Sequence, residues 1–476
     1  FEHGGRKNEY GPFDVVVRQA PDDMNAPSRN IESIPRSSEQ NSARIKEMQL
    51  TSSQILPLKT SYASWGMGGS GGGSGALPRL KVVTSENGVH YISAAQMADA
   101  FGILENVVRT QIGNGAVKIG NNGQLVRWKP APANDGVYFV AEALRTSYSD
   151  NNVYWITWTT GMQVQAVSAT NPPPPVDGGV FRDLATAEKD VYALTALFSE
   201  PDDDFWLWNY AAADDPMYDT ISVGIRTPAP EISATHTAKL SVTLLGATST
   251  GANNEHHVVI RLNGNLVGED WWEGTVLHTT KVNVSQSLLM DGSNNVQITA
   301  VLDPGIEDSM FYLDNVAIEY WRRFESDGGL PIIVTGGTND IVTVKGFATT
   351  NLEVWKVDDP KNPSVVSDVT IENVSGNCRV SFRPASSNVI YCIFDRSSCY
   401  TVSTVSISEE VDLASPTNAA EYVVITVPSL LSAAQSLVDL KATRGILSRV
   451  VALESIYDEF NYGIVHPLAI KTFLLN

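Results

Sequence analysis

Glu421-Tyr422-Val423-Val424-Ile425-Thr426, the segment Ser429 to Lys441, and Ile446 to Leu453 are consecutive pieces whose hydrophobic pattern differs from everything before them. The first and third are short continuous apolar runs, the pattern of strands buried on both faces. Between them Leu430, Leu431, Ala434, Leu437, Val438 and Lys441 fall at helical spacing, with Ser429 placed to cap and Gly445 to stop the helix. These pieces read as a βαβ unit within 413–476, and Pro467 opens one more helix to Leu475. A parallel sheet needs several strands and helices on both faces. A two-strand unit is therefore expected to have its apolar surface covered by the rest of an α/β domain or by another chain.

Upstream the period changes from helical to alternating. Lys239–Leu245, His256–Asn263, Thr279–Asn283, Asn295–Leu302 and Phe311–Trp321 alternate faces and are punctuated by turns such as Asn263-Gly264 and Asp291-Gly292. They predict a jelly-roll β-sandwich over 180–325. Seven further β-prone runs between Ile332 and Ile407 predict a second, smaller sandwich over 326–412. A small mostly-β domain is expected over 80–170, opening with a hairpin of Leu80–Thr84 and Gly88–Ile92 and a helix from Ala94 to Phe101 between Ser93 and Gly102. Asn171-Pro172-Pro173-Pro174-Pro175 reads as a stiff spacer over 171–179. Residues 61–79 hold a Gly/Ser run that reads as a flexible linker, native or engineered, and 1–60 as an extended segment whose Phe13–Val17 could pair with another domain or chain. The fold class is mainly β and multidomain, followed by a truncated α/β unit.

Across 476 residues, 33 Lys+Arg stand against 53 Asp+Glu, a net charge of −20. Such a field repels nucleic acid and anionic membranes. No run of apolar residues is long enough for a membrane-spanning helix. The chain begins at Phe1 with no signal-peptide pattern, which suggests a processed chain or a trimmed one. Cys378, Cys392 and Cys399 lack the spacing and the fourth ligand of a zinc site. Either one disulfide with a free thiol, suited to a secreted protein, or three buried thiols fits them. The turn near Pro384-Ala385-Ser386 would set Cys378 opposite Cys392 on antiparallel strands, and Cys392–Cys399 is the alternative pair.

Ala420 to Thr426, Leu430 to Gln435, Ile456-Tyr457-Asp458-Glu459-Phe460-Asn461-Tyr462-Gly463 and Pro467 to Leu474 resemble the opening of the gingipain-like (C25) cysteine peptidase domain. His466 stands where that family's acidic residue is expected before the proline. Phe205 to Trp208, His256-His257-Val258, Leu262-Asn263-Gly264 and Tyr312 to Val316 are similar to the β domain that precedes this peptidase. The resemblance implies a caspase-like fold and a His/Cys pair acting at the carboxyl ends of parallel strands, the imidazole promoting the thiolate. Both lie beyond the matching segments, so no catalytic residue is carried over. It further implies secretion, and as partners the missing catalytic half or other copies of the chain.

Other residues invite function on their own chemistry. Asp202, Asp203, Asp204, Asp214 and Asp215 offer hard oxygen ligands, so calcium is the one cofactor admitted, against solvated loop charge as the plainer reading. Trp271 and Trp272 suggest a glycan-stacking surface, although adjacency in a strand sends them to opposite faces. His256 and His257 are expected to split likewise, one packed and one solvated. The strand setting of Cys392 and Cys399, far in sequence from any His, marks them as structural. Three functions compete: the non-catalytic front of a C25 peptidase, an extracellular surface-assembly protein of filament type, and a carbohydrate-binding module.

Overall fold

The computed structural model describes residues 78–476 apart from 169, 170, 196, 197, 199–202, 234, 338, 403, 409, 410 and 416. The N-terminal segment, its Phe13–Val17 strand and nearly all of the Gly/Ser linker lie outside the described residues.

The first block contains β1 (Arg79–Thr84), β2 (Gly88–Ser93), α1 (Ala94–Phe101), α2 (Glu105–Gly113), β3 (Lys118–Asn121), β4 (Gln124–Val126), β5 (Trp128–Pro130), β6 (Gly136–Ala141), β7 (Asn152–Thr157) and β8 (Gln165–Val167). Helix α1 forms where expected because Ser93 and Gln96 make a reciprocal capping box and Gly102 takes the left-handed conformation at its end. The predicted hairpin does not form. Strand β1 pairs with β7 while β2 pairs with β6, so the turn at Asn87-Gly88 passes the chain from one sheet to another.

The second block holds β9 (Val180–Glu188), β10 (Tyr192–Ala193), β11 (Trp206–Leu207), β12 (Asn209–Ala212), β13 (Thr220–Thr227), β14 (Thr237–Gly246), β15 (His256–Leu262), β16 (Asn265–Trp272), β17 (Leu277–Ser285), β18 (Gly292–Val301) and β19 (Met310–Arg323), a two-sheet sandwich with β10 and β11 paired to each other as a small ribbon beside it. One sheet runs β12-β19-β14-β17 with β9 also on β19, and the other runs β13-β18-β15-β16. Leu240, Val242, Val258, Ile260, Ile298 and Ile318 fill the space between them. Alternation along each strand puts these side chains on one face.

The third block holds β20 (Ile332–Thr335), β21 (Val342–Phe347), β22 (Leu352–Lys356), β23 (Ser364–Val366), β24 (Thr370–Val374), β25 (Asn377–Phe382), β26 (Ile390–Asp395), β27 (Tyr400–Thr401) and β28 (Thr404–Ser408). Its strands are shared with the first block. Strand β28 completes the sheet of β1, β27 that of β2, and β8 joins β23. Val89, Tyr138 and Val140 lie in one core with Trp355, Cys392 and Phe394. The proline segment is also held against this block, Thr370 Oγ1 donating to the Pro173 carbonyl at 2.6 Å and Thr343 Oγ1 accepting from Val176 N–H at 3.0 Å.

The C-terminal unit is β29 (Tyr422–Thr426), α3 (Leu431–Ala442), β30 (Ser448–Ala452), α4 (Leu453–Phe460) and α5 (Pro467–Leu475), with β29 and β30 parallel as expected. Ser429 does not cap: it sits in a 3-10 turn, Pro428–Leu430, and α3 starts after it. Helices α2 and α4 were not expected. Each is short, and α4 begins directly at the end of a strand, where a continuous apolar run conceals the change of period.

Candidate functional site

Three places in the fold concentrate chemistry. The first is a bulge in β19. Asn315 and Leu313 pair with Thr243 and Leu244 of β14, so Asp314 is the extra residue between them. On its other side β9 ends at Glu188, opposite Asn315, and β12 begins at Asn209, opposite Leu313. A bulge redirects its side chain. Asp314 there meets Glu188 and Asp204, their carboxylate oxygens all within 4.8 Å of one another. Burial, then the charge of Asp204, pushes the Glu188 carboxyl up to about 7. Burial, then the charge of Glu188, does the same to Asp314, also to about 7. Near neutrality Glu188 and Asp314 are therefore partly protonated. All donors are hard oxygens, so the group could hold a cation of the calcium class.

The acidic residues expected from the sequence are divided by this arrangement. Asp202 lies outside the described residues. Asp204 joins the bulge, whereas Asp214 and Asp215 form the turn after β12, where Asp215 Oδ1 accepts from Met217 N–H at 3.0 Å. Glu188 and Asp314 were missed, yet Phe311, Leu313, Val316 and Ile318 all face the core, and the skip in their spacing was a legible sign of the bulge.

The second place is the Trp271-Trp272 pair. Trp272 is in the core, sandwiched between His256 at 4.8 Å and His278 at 4.9 Å, and offers no surface to a sugar. Trp271 is 38% exposed but stacks on His257 at 4.2 Å and donates its indole N–H to Asp303 at 2.8 Å. The two indoles therefore do not form one platform. His256 and His257 are both buried, because Trp271 and Asp303 cover the imidazole that alternation turns outward.

The expected disulfide is absent. Cys378, Cys392 and Cys399 are free and buried. Cys378 lies on β25 beside β21 and β24, while Cys392 lies on β26 between β20 and β22, so the chain after Phe382 crosses to another sheet instead of turning back beside itself. Burial pushes the Cys392 thiol up to about 12 and that of Cys399 to about 11, which keeps both from acting as nucleophiles.

The third place is the junction between the C-terminal unit and the first block. Asp458 of α4 pairs with Lys81 of β1 and accepts from Ser408 Oγ of β28 at 2.8 Å. Adjacent Glu459 accepts from the backbone N–H groups of Leu413 and Ala414 at 2.8 and 3.0 Å. The Tyr462 carbonyl accepts from the Trp155 indole at 2.7 Å, and Ile464 is enclosed with Leu144, Val153 and Trp155. His466 is packed on Tyr148, and its Nδ1 accepts from Leu468 N–H at the start of α5. An imidazole nitrogen here performs the capping an acidic oxygen would.

Residues 415–476 match the model of peptidase family C25. The fold is similar to that of dimeric latent PorU from Porphyromonas gingivalis, with a TM-score of 0.57 at 13% identity over 84% of this chain and 39% of that one. The C-terminal segment of this chain is thus similar to the C25 cysteine peptidases. The whole chain spans 39% of the length of that solved relative. Partial likenesses to carbohydrate-binding module CBM36 in complex with calcium and xylotriose (TM-score 0.17, 17% identity, 22% of this chain and 77% of that one) and to a family 35 carbohydrate-binding module from Clostridium thermocellum (0.16, 19%, 21% and 68%) are too low to carry an argument. No curated protein matches this chain.

Proposed function

We propose that this chain is the non-catalytic front of a secreted C25 peptidase, a scaffold that holds the start of the peptidase domain in fixed orientation. The observation that carries this reading is the Asp458–Glu459 junction. One carboxylate grips the β-scaffold through Lys81 and Ser408 and its neighbour holds the incoming linker at Leu413 and Ala414. Two adjacent, buried and fully partnered carboxylates leave the unit little freedom to swing. Leu437, Leu440 and Leu447 remain exposed on the α/β unit beside a two-strand parallel sheet, which suits completion by further α/β layers. Association with another copy is a second way to cover them, and the similar solved structure is described as dimeric. Extracellular location rests here on the family resemblance alone, since the cysteines are free.

Incubating the purified 1–476 chain with Arg-, Lys- and other peptidyl substrates tests the reading. No hydrolysis is expected, because the three thiols are buried and, among the described residues, make no contact with an imidazole that could activate them. Cleavage that requires a reductant and is abolished by a cysteine alkylator would overturn it.

A further inference from the structure

The outer face of the sandwich carries a row of tyrosines. Tyr210 of β12 and Tyr312 of β19 are register partners with rings 6.1 Å apart. Tyr192 of β10 lies 6.0 Å from the first and 6.1 Å from the second, and Tyr218 stacks on Tyr210 at 5.5 Å. Their strand neighbours Ala211, Phe311 and Leu313 point into the core, so alternation turns the tyrosines outward. Tyr192 and Tyr218 are exposed, as are Val191 and Met217 beside them. Single exposed aromatics need no explanation, but a contiguous patch marks an interaction surface.

Charge indicates the kind of partner. Glu188, Asp190, Asp204 and Asp314 stand at one end of the row, and Asp214 and Asp215 at the other, where the Asp215 carbonyl accepts from Tyr218 N–H at 2.8 Å. The cations nearby are Arg145, facing Glu188 and Asp190, and Lys189, which already lies 5.6 Å from the Trp208 ring. Because burial raises Glu188 and Asp314 to about 7, the exposed carboxylates of Asp190 and Asp204 at one end and Asp214 at the other are the charges a partner meets. A neutral glycan would use the ring faces and leave those charges unmatched, and a nucleic acid would be repelled. We propose that this face docks a basic peptide segment, with arginine or lysine side chains lying on the tyrosine rings and the flanking carboxylates pairing with their charges. The tyrosines and carboxylates of this surface belong to the sandwich, with Arg145 of the first block at its edge, and none comes from the C-terminal unit, so this proposal stands independently of the scaffold reading.

Fluorescence anisotropy of the full chain with a labelled arginine-glycine-serine repeat peptide, at physiological salt, is the test. Binding should weaken about five- to tenfold when Tyr192 and Tyr218 are both changed to Ser, and return when both are Phe, as a ring-face contact requires. Asp190→Lys, at an exposed position, should weaken it by charge with no change in thermal melting. Equal binding by the Ser variant would reduce the attraction to diffuse charge and overturn the proposal. So would failure of the peptide to bind, or binding of a neutral xylo-oligosaccharide in its place.

Discussion

Asp314 shows how one inserted residue creates chemistry. Had β19 paired with β14 without a bulge, the residue at this position would point squarely to one face, but the skip at Leu244 turns its carboxylate toward Glu188 and Asp204. Because the folded pKa values of Glu188 and Asp314 are raised to about 7, the folded state keeps protons that the unfolded chain has released. Their contribution to stability is thus full below the ordinary carboxylate range and is lost as pH rises through about 7. Melting of the sandwich should therefore fall as pH is raised from 5 to 8, on the order of a few degrees. The double variant Glu188→Gln, Asp314→Asn should flatten that slope and melt higher than the natural chain at pH 8. Calorimetry across the series checks both, and an unchanged slope would mean that Glu188 and Asp314 do not carry the raised values.

At the scale of elements, α4 decides how the peptidase segment is held. Its side chains face two ways: Ile456 and Phe460 pack with Val451 and Ala469 of their own unit, whereas Asp458 turns to β1 and β28. The Lys81 and Asp458 side chains are only 16% and 10% exposed, so removing one charge strands the other away from water. Asp458→Ala is expected to cost about 3 kcal/mol of docking, the range for breaking an enclosed ion pair. Hydrogen exchange should show the loss in β30, α4 and α5 while β13, β15 and β18 keep their protection. Uniform loss across all of them would instead place Asp458 in the global fold.

For the molecule as a whole, the first and third blocks share a core that the sandwich does not enter. Lys129 on β5 reaches Glu353 on β22 at 2.6 Å, and Trp355 closes over residues from both blocks. The sandwich has its own core; its Phe181 and Phe324, stacked at 5.0 Å, reach into that of the third block, and its Trp206 donates its indole N–H to the Ser147 carbonyl of the first block at 2.7 Å. A fragment spanning 180–325 should therefore fold alone with a cooperative melt. One spanning 78–168 should not, because it lacks β27, β28 and half of its second core. Circular dichroism melts of the two fragments measure this directly, and a cooperative transition in the shorter one would refute the shared core.

Much of this was legible in the residues. Period-two alternation located the long strands of the sandwich, the Ser93 and Gly102 signals bounded α1, and continuous apolar runs around a helical pattern located the βαβ unit, because each depends on neighbours a few positions apart. Pairing does not. That β1 joins β28 instead of β2, that Cys378 and Cys392 belong to separate sheets, and that Trp271 covers His257 all depend on which distant strands share an edge. The sequence carried the faces of each strand; tertiary structure chose the partners, because backbone hydrogen bonds are alike at every residue and packing of whole sheets decides between registers.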